Sequence, residues 1–251
     1  MKSKAIIDLQ PDDEILIPSI KGDAQITFHF SYIENLNKKY TAQTKTYPYL
    51  PPFETGLFIT DLSPTHRLLF NKFALVKNHV LVVTNFFQEQ KDPLNLNDFA
   101  SSFKVLLALK GFCFYNSGPC SGVTQEHKHM HVMPNFKEDK YGIVNFIDKE
   151  AIRHEKPFKC SIFSFSHLIV PLPNFGQTEK FNEIGAKLEE IYQDLIKKLK
   201  INTKTDSYNM IMNENWMMIV KRSKEYAFDS IRVNALGFIG NSFFLKSFEL
   251  S

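Results

Sequence analysis

A chain of 251 residues, 43% hydrophobic and 23% charged, has the composition of a soluble globular protein with enough apolar material for a sizeable core. A formal charge of +3 argues against the clustered basic face of a non-specific nucleic-acid binder, while leaving room for a small anionic substrate. Three cysteines (Cys113, Cys120, Cys160) make neither an even framework nor a CxxC pair, which points to reduced thiols in the cytoplasm.

Asp8, Asp12, Asp13 and Glu14 argue against a secretory leader, and no apolar run reaches the length of a membrane span. Neither nucleic acid nor membrane is therefore expected as a partner. Residues 1 to about 22 read as a segment that packs late or stays mobile. "AQITFHFSY", from Ala24 to Tyr32, alternates as a strand does, and a polar loop closed by Pro48, Pro51 and Pro52 follows. "LFIT", "RLLFNKFALV" and "VLVVT" predict three strands of an antiparallel sheet, the last two separated by the turn "KNH". In "LNLNDFASSFKVLLALKG" Asn95 or Asn97 caps a helix whose stop is Gly111.

"FCFYN" and "HMHVMP" predict strands around a small-residue loop, and the charged run from Lys137 to Lys159 has no assigned element. "CSIFSFSHLIV" reads as one further strand. Between Glu179 and Lys200 the stripe Phe181, Ile184, Leu188, Ile191, Leu195, Leu199 predicts an amphipathic helix. "YNMIMNENWMMIV" predicts a hairpin turning at Asn213 to Asn215, and two glycines in "IRVNALGFIGNSFF" suggest close backbone approach. The 24 phenylalanines lie in alternating runs and read as core filler. Strands interleaved with helices give an α+β fold in one continuous domain over residues 1–251, with a first part, 1–172, that carries the histidines and a second part, 178–251.

Chemistry concentrates in "YNSGPCSGVTQEHKHMHVMP", Tyr115 to Pro134. On a strand, His127, His129 and His131 share one face and Lys128 and Met130 the other, with the outer two alpha carbons about 13 Å apart. That span is too long for joint zinc ligation at about 2.0–2.1 Å, so no metal site is expected. A neutral imidazole, with an ordinary pKa of about 6.5, can instead attack phosphorus and split one displacement into two. Asn116, Ser117, Gly118, Ser121 and Gly122 offer backbone for close approach to phosphate, Ser117, Ser121 and Thr124 add hydroxyls, and Gln125 can donate to a phosphate or a leaving oxygen. His66, His79, His154 and His167 lack such context and read as structural.

These residues resemble the histidine triad superfamily, in particular the branch of diadenosine tetraphosphate phosphorylases (ATP adenylyltransferases). "PFETGLFITDLSPTHRLLFNKFALVKNHVLVVTNFFQEQKDPLNLNDF", the triad block, "YNMIMNENWMMIVKRSKE" and "VNALGFIG" follow that family's blocks in order from about residue 50 onward. The resemblance implies a histidine triad fold with a central antiparallel sheet and flanking helices. It also implies cleavage of a dinucleoside tetraphosphate at an α-phosphate through an adenylyl-histidine that phosphate resolves to ATP and ADP.

By position, the resemblance makes His129 the nucleophile, flanked by His127 and His131, and Asn116, Gly122, Val123, Thr124 and Gln125 the phosphate-contacting loop. It makes Asn71 and Lys72 nucleotide contacts and Lys39 a phosphate contact, and brings Asn213, Met218 and Arg222 near the substrate, so that the second part, 178–251, completes the substrate site. No cofactor is fixed by the sequence; a divalent cation such as Mg would assist through the substrate phosphates. The oligomeric state is left open. This chain departs from the family in carrying His131 where glutamine is usual, which keeps a histidine triad hydrolase of dinucleoside polyphosphates or other adenylyl substrates as the alternative, and in carrying Lys221 where proline is common. A nucleotide-binding protein without catalysis is the third reading.

Overall fold

The computed structural model describes residues 48–74, 76–134, 142–176, 179–227 and 231–240 with their side chains, and the strands at 7–8, 13–21, 24–32 and 241–244 as backbone. In chain order the strands are β1 (Ile7–Asp8), β2 (Asp13–Lys21), β3 (Ala24–Tyr32), β4 (Phe58–Asp61), β5 (His66–Phe70), β6 (Phe73–Ala74), β7 (Val80–Thr84), β8 (Gly111–Ser117) and β9 (His129–Pro134), followed by β10 (His167–Pro171), β11 (Ser207–Met212), β12 (Trp216–Arg222), β13 (Tyr226–Ala227), β14 (Ile231–Arg232) and β15 (Asn241–Phe244). Among the described residues three α-helices join them: α1 (Leu96–Leu109), α2 (Gly142–Ala151) and α3 (Phe181–Lys198). The main sheet has eight strands in the order β10-β12-β11-β8-β9-β7-β5-β4, all antiparallel, and draws on both halves of the chain.

Alternation along these strands divides the core in two. One face sends Val82, Met130, Val132, Cys113, Tyr115, Met210 and Met217 against Phe99 and Phe103 of α1 and Leu188 and Leu195 of α3. The other sends Phe112, Phe114, Met133, Ile211 and Met218 against Ile143 and Ile147 of α2 and the turn Ala235–Ile239. Fully burying a side chain of this size contributes roughly 1.5–3 kcal/mol, so both layers hold the sheet between them.

Several expectations are corrected. The segment before residue 22 carries two strands, β1 and β2, of which β2 pairs with β3 over nine residues. "RLLFNKFALV" is broken after Phe70, because the Asn71 side chain accepts the Phe73 amide and the Asn71 amide turns to the His79 carbonyl. Helix α1 takes Asn95 as its cap with a reciprocal Asp98 contact, but it stops at Lys110, which adopts φ 49°. Gly111 is instead the first residue of β8, where a Cβ would stand 1.9 Å from the Met133 carbonyl oxygen. The charged run hides α2, whose Ile143, Ile147 and Ala151 fall four apart on one buried stripe. Of "CSIFSFSHLIV" only the part from His167 on is strand, which runs one residue further to Pro171; upstream, His167 Nε2 accepts the Cys160 amide and its Nδ1 donates to the Phe165 carbonyl, which loops the chain back.

Candidate active site

Strand β9 pairs with β7 over its first four residues, from Val80↔Val132 to Val83↔His129, but its ladder with β8 ends at Phe114↔His131. Continued by two residues, that register would set Asn116 opposite His129. The gap is taken by residues 88–90, whose backbone meets 126–128 through Gln90 N to Glu126 O at 2.7 Å and Lys128 N to Gln88 O at 2.9 Å. His127 therefore precedes the strand as a single bridge to Glu89, while His129 and His131 lie on it, ring centroids 4.9 Å apart.

His129 is buried, and its Nδ1 lies 2.7 Å from the His127 carbonyl oxygen. A carbonyl only accepts, so in the neutral ring the proton sits on Nδ1 and the lone pair on Nε2. His127 is fixed by its own Nε2, which donates to the Thr84 carbonyl and hydroxyl oxygens at 3.0 and 2.9 Å, leaving Nδ1 buried without a partner. Burial holds the His127 pKa below the ordinary imidazole value, against the raising effect of the backbone contacts. His131 stacks on Phe114, centroids 4.5 Å apart, and its Nδ1 meets His79 Nε2 at 2.9 Å.

Asn116 completes the site from β8. Its Oδ1 accepts from Asn209 Nδ2 at 2.7 Å and from the Ala235 amide at 3.0 Å, so the orientation of the carboxamide is set and Nδ2 remains a donor. Asn209 is in turn held by Arg222 Nη1 at 2.7 Å, and it donates to the Ser121 carbonyl at 2.9 Å. Arg222 also donates to the Val233 and Lys224 carbonyls, and burial lowers its pKa to about 10. The loop is tied down further by Ser207 Oγ, which accepts the Cys120 amide, and by Arg232, which donates to the Val123 carbonyl. Gly122 turns at φ +80°, and a Cβ there would meet the Val233 carbonyl oxygen at 2.8 Å. Thr124 is exposed, and Val123 and Gln125 are half-buried, on the run entering the triad.

Not every expected residue converges. The Ser117 hydroxyl is buried on the helix-packed face beside the Tyr208 phenol, because it shares its parity with Cys113 and Tyr115. The Ser121 hydroxyl is used within its own turn, donating to the Gly118 carbonyl at 2.6 Å. Asn213 sits in the turn beyond β11, its Oδ1 accepting the Asn215 and Trp216 amides, four residues past Asn209 and so about 13 Å along the strand. Met218 is 0% exposed in the core between the sheet and α2. Lys72 is paired to Glu54 Oε2 at 2.8 Å, with Asn71 beside it reaching His79. Lys39 lies outside the described residues.

Three participants are not legible in the sequence pattern that gives the triad. His79 shares the parity of Leu81 and Val83, which is the one available signal for its contact with His131. Tyr49 covers His127 and His129 with centroids at 5.8 and 5.1 Å, and burial raises its phenol pKa. Gln90 has no periodic context at all. Among the described residues no group of three or more His, Cys, Asp or Glu could hold a metal ion, and no helix is long and apolar enough to cross a membrane.

Residues 17–145, more than half of the chain, match the family model of the Ap4A phosphorylase N-terminal domain. The chain belongs to the Ap4A phosphorylase family. Residues 161–250 match the ATP adenylyltransferase C-terminal domain. Within the Ap4A phosphorylase family, the chain is 29% identical to Protein APA1 of Saccharomyces cerevisiae over 199 residues, 70% of this chain and 60% of that one. It is 27% identical over 219 residues to diadenosine 5',5'''-P1,P4-tetraphosphate phosphorylase 2 of the same yeast, covering 77% of this chain and 67% of the relative. The chain thus spans about two thirds of the length of these relatives, or less. The crystal structure of yeast Ap4A phosphorylase Apa2 in complex with AMP superposes with a TM-score of 0.71 at 23% identity, covering 98% of this chain and 83% of that one. The Ap4A complex of Apa2 gives 0.68 at 20%, over 96% and 83%. The fold is shared across this distance.

Proposed function

We propose that the chain phosphorolyses diadenosine tetraphosphate to ATP and ADP as a single catalytic domain, through an adenylyl group carried on His129. The observation that carries this reading is the opposition of two oriented groups: the His129 lone pair at Nε2, fixed by the His127 carbonyl, and the Asn116 Nδ2 donor, fixed by Asn209 and Ala235. Attack of Nε2 on an α-phosphorus forms a P–N bond and breaks the bridging P–O bond, releasing ATP. In this reading Asn116 Nδ2 and the backbone of the Gly122–Gln125 run donate to oxygens on that phosphorus as charge develops. Inorganic phosphate then displaces the histidine and leaves as ADP. Oriented nucleophile and donor lower the barrier by removing orientational freedom before the reaction begins.

The site's own donors are amides and imidazoles, with no carboxylate cluster among the described residues, so a divalent cation such as Mg would arrive on the substrate's phosphates. A hydrolase is the second reading, favoured by His131 in contact with His79, since a paired imidazole can take a proton from water where glutamine cannot. Turnover of the dinucleotide with labelled phosphate separates them. Label in ADP supports phosphorolysis, AMP without label indicates hydrolysis, and no turnover with no trapped adenylyl-enzyme defeats both. In either reaction His129→Ala should lose activity by orders of magnitude while binding remains measurable.

A further inference from the structure

We propose that Gln90 is the positioning residue of the nucleophile, its carboxamide standing in for the rung that β8 and β9 do not form. Gln90 is 5% exposed, and its carboxamide makes three hydrogen bonds to backbone. Its Oε1 accepts the His129 amide at 2.8 Å, while Nε2 donates to the His129 carbonyl at 3.1 Å and to the Asn116 carbonyl at 3.0 Å. One side chain therefore grips both backbone polar groups of the nucleophilic residue and the backbone of the residue that faces it. A direct ladder would bring the strands to the usual spacing of about 4.8 Å; the interposed carboxamide holds them further apart at the height of His129. That widening is where a phosphate has to enter between His129 and Asn116. Gln90 is itself seated from below: the Tyr115 hydroxyl donates to its carbonyl and to that of Asp92, and its amide bonds Glu126.

Gln90 touches no reacting atom, so its effect passes through His129. The inference rests on His129 being the nucleophile of the proposed reaction, and the test keeps the two apart. Wild-type turnover of the dinucleotide is measured first. Hydrogen exchange of the His129 amide in ligand-free protein then reads the grip of Gln90 whether or not that turnover exists. Gln90→Met, of equal length and without hydrogen bonds, should expose the His129 amide to fast exchange. It should also lower kcat about 100-fold, the effect of displacing a reacting group by about 1 Å, with KM within about threefold.

Gln90→Glu serves if the methionine variant does not fold. It keeps the acceptor for the His129 amide but can donate to only one of the two carbonyls, and only when protonated, so its kcat should fall with rising pH through an ionisation absent from wild type. The other titratable groups around position 90 are unchanged between the two proteins: Glu89 and Asp92 on its own segment, Glu126 and His129 on the facing one, and Tyr115, whose phenol burial holds well above its usual range. Unchanged exchange of the His129 amide in Gln90→Met overturns the inference. So does a kcat equal to wild type in a merely less stable variant, or a Gln90→Glu pH profile that superposes on wild type.

Discussion

Replacing Lys128 by methionine should destabilise the protein through the side of the sheet that faces away from the chemistry. Between His127 and His129, Lys128 turns to the helix-packed face and is 1% exposed. Its ammonium donates to Asp98 Oδ2 at 2.6 Å and to the Pro93 carbonyl at 2.9 Å, while His66 Nε2 lies 2.9 Å from Asp98 Oδ1. Asp98 is 0% exposed and also accepts the Asn95 amide at 2.8 Å in the α1 cap. Burial pushes the Asp98 carboxyl up, but the His66 hydrogen bond and the Lys128 charge outweigh it and leave the pKa below the ordinary value. Removing one partner of such a buried pair costs about 3–5 kcal/mol, because the carboxylate stays behind without its charge. At about 2–4 °C per kcal/mol for a chain of this size, thermal unfolding should shift down by roughly 10 °C.

Adding Asp98→Asn to that variant should recover some of the loss, since the neutral amide keeps an acceptor for the cap. The sign with pH follows from the depressed carboxyl: its contribution is present above about pH 4 and disappears as pH falls through the lower folded value, so the wild type loses this increment in acid and Asp98→Asn does not. Differential scanning calorimetry across pH measures the wild type, Lys128→Met, the double variant and Asp98→Asn alone. A Lys128→Met midpoint within about 2 °C of wild type would refute the reasoning.

His131→Gln should remain active, with the ADP to AMP product ratio reporting any change of acceptor; an unchanged ratio would make His131 a bystander. Gly122→Ala forces a side chain into φ +80° against the Val233 carbonyl, and should cost about 1–3 kcal/mol in denaturant unfolding and raise KM. Lys72→Ala should raise KM at low ionic strength and progressively less as salt increases, since a lysine now paired with Glu54 would be exchanging a carboxylate for substrate phosphates; a KM insensitive to salt in both proteins counts against that contact.

What can be read in the sequence is what rests on local repetition. The period-two histidines, the stripe of α3 and a helix cap at Asn95 or Asn97 each follow from spacing along one segment, and the structure has the strand, the helix and, at Asn95, the cap. Residues that act across the sheet leave no such mark. Asn209 and Ala235 hold Asn116 from 93 and 119 residues away, and Gln90 reaches His129 across 39. Ser117 departs from expectation for the opposite reason: adjacency in sequence suggests a shared site, while strand alternation sends it to the other face from Asn116. Asn213 and Met218 rest on resemblance, and local needs, a turn and a core layer, govern both.

The proposed nucleophile and the donor proposed to face it each take a deciding contact from main chain: the His127 carbonyl sets the tautomer of His129, and the Ala235 amide helps set the orientation of Asn116. A carbonyl survives replacement of its own side chain by any residue, and an amide survives any but proline. A substitution at position 127 or 235 therefore reaches these two contacts only through the path of the backbone.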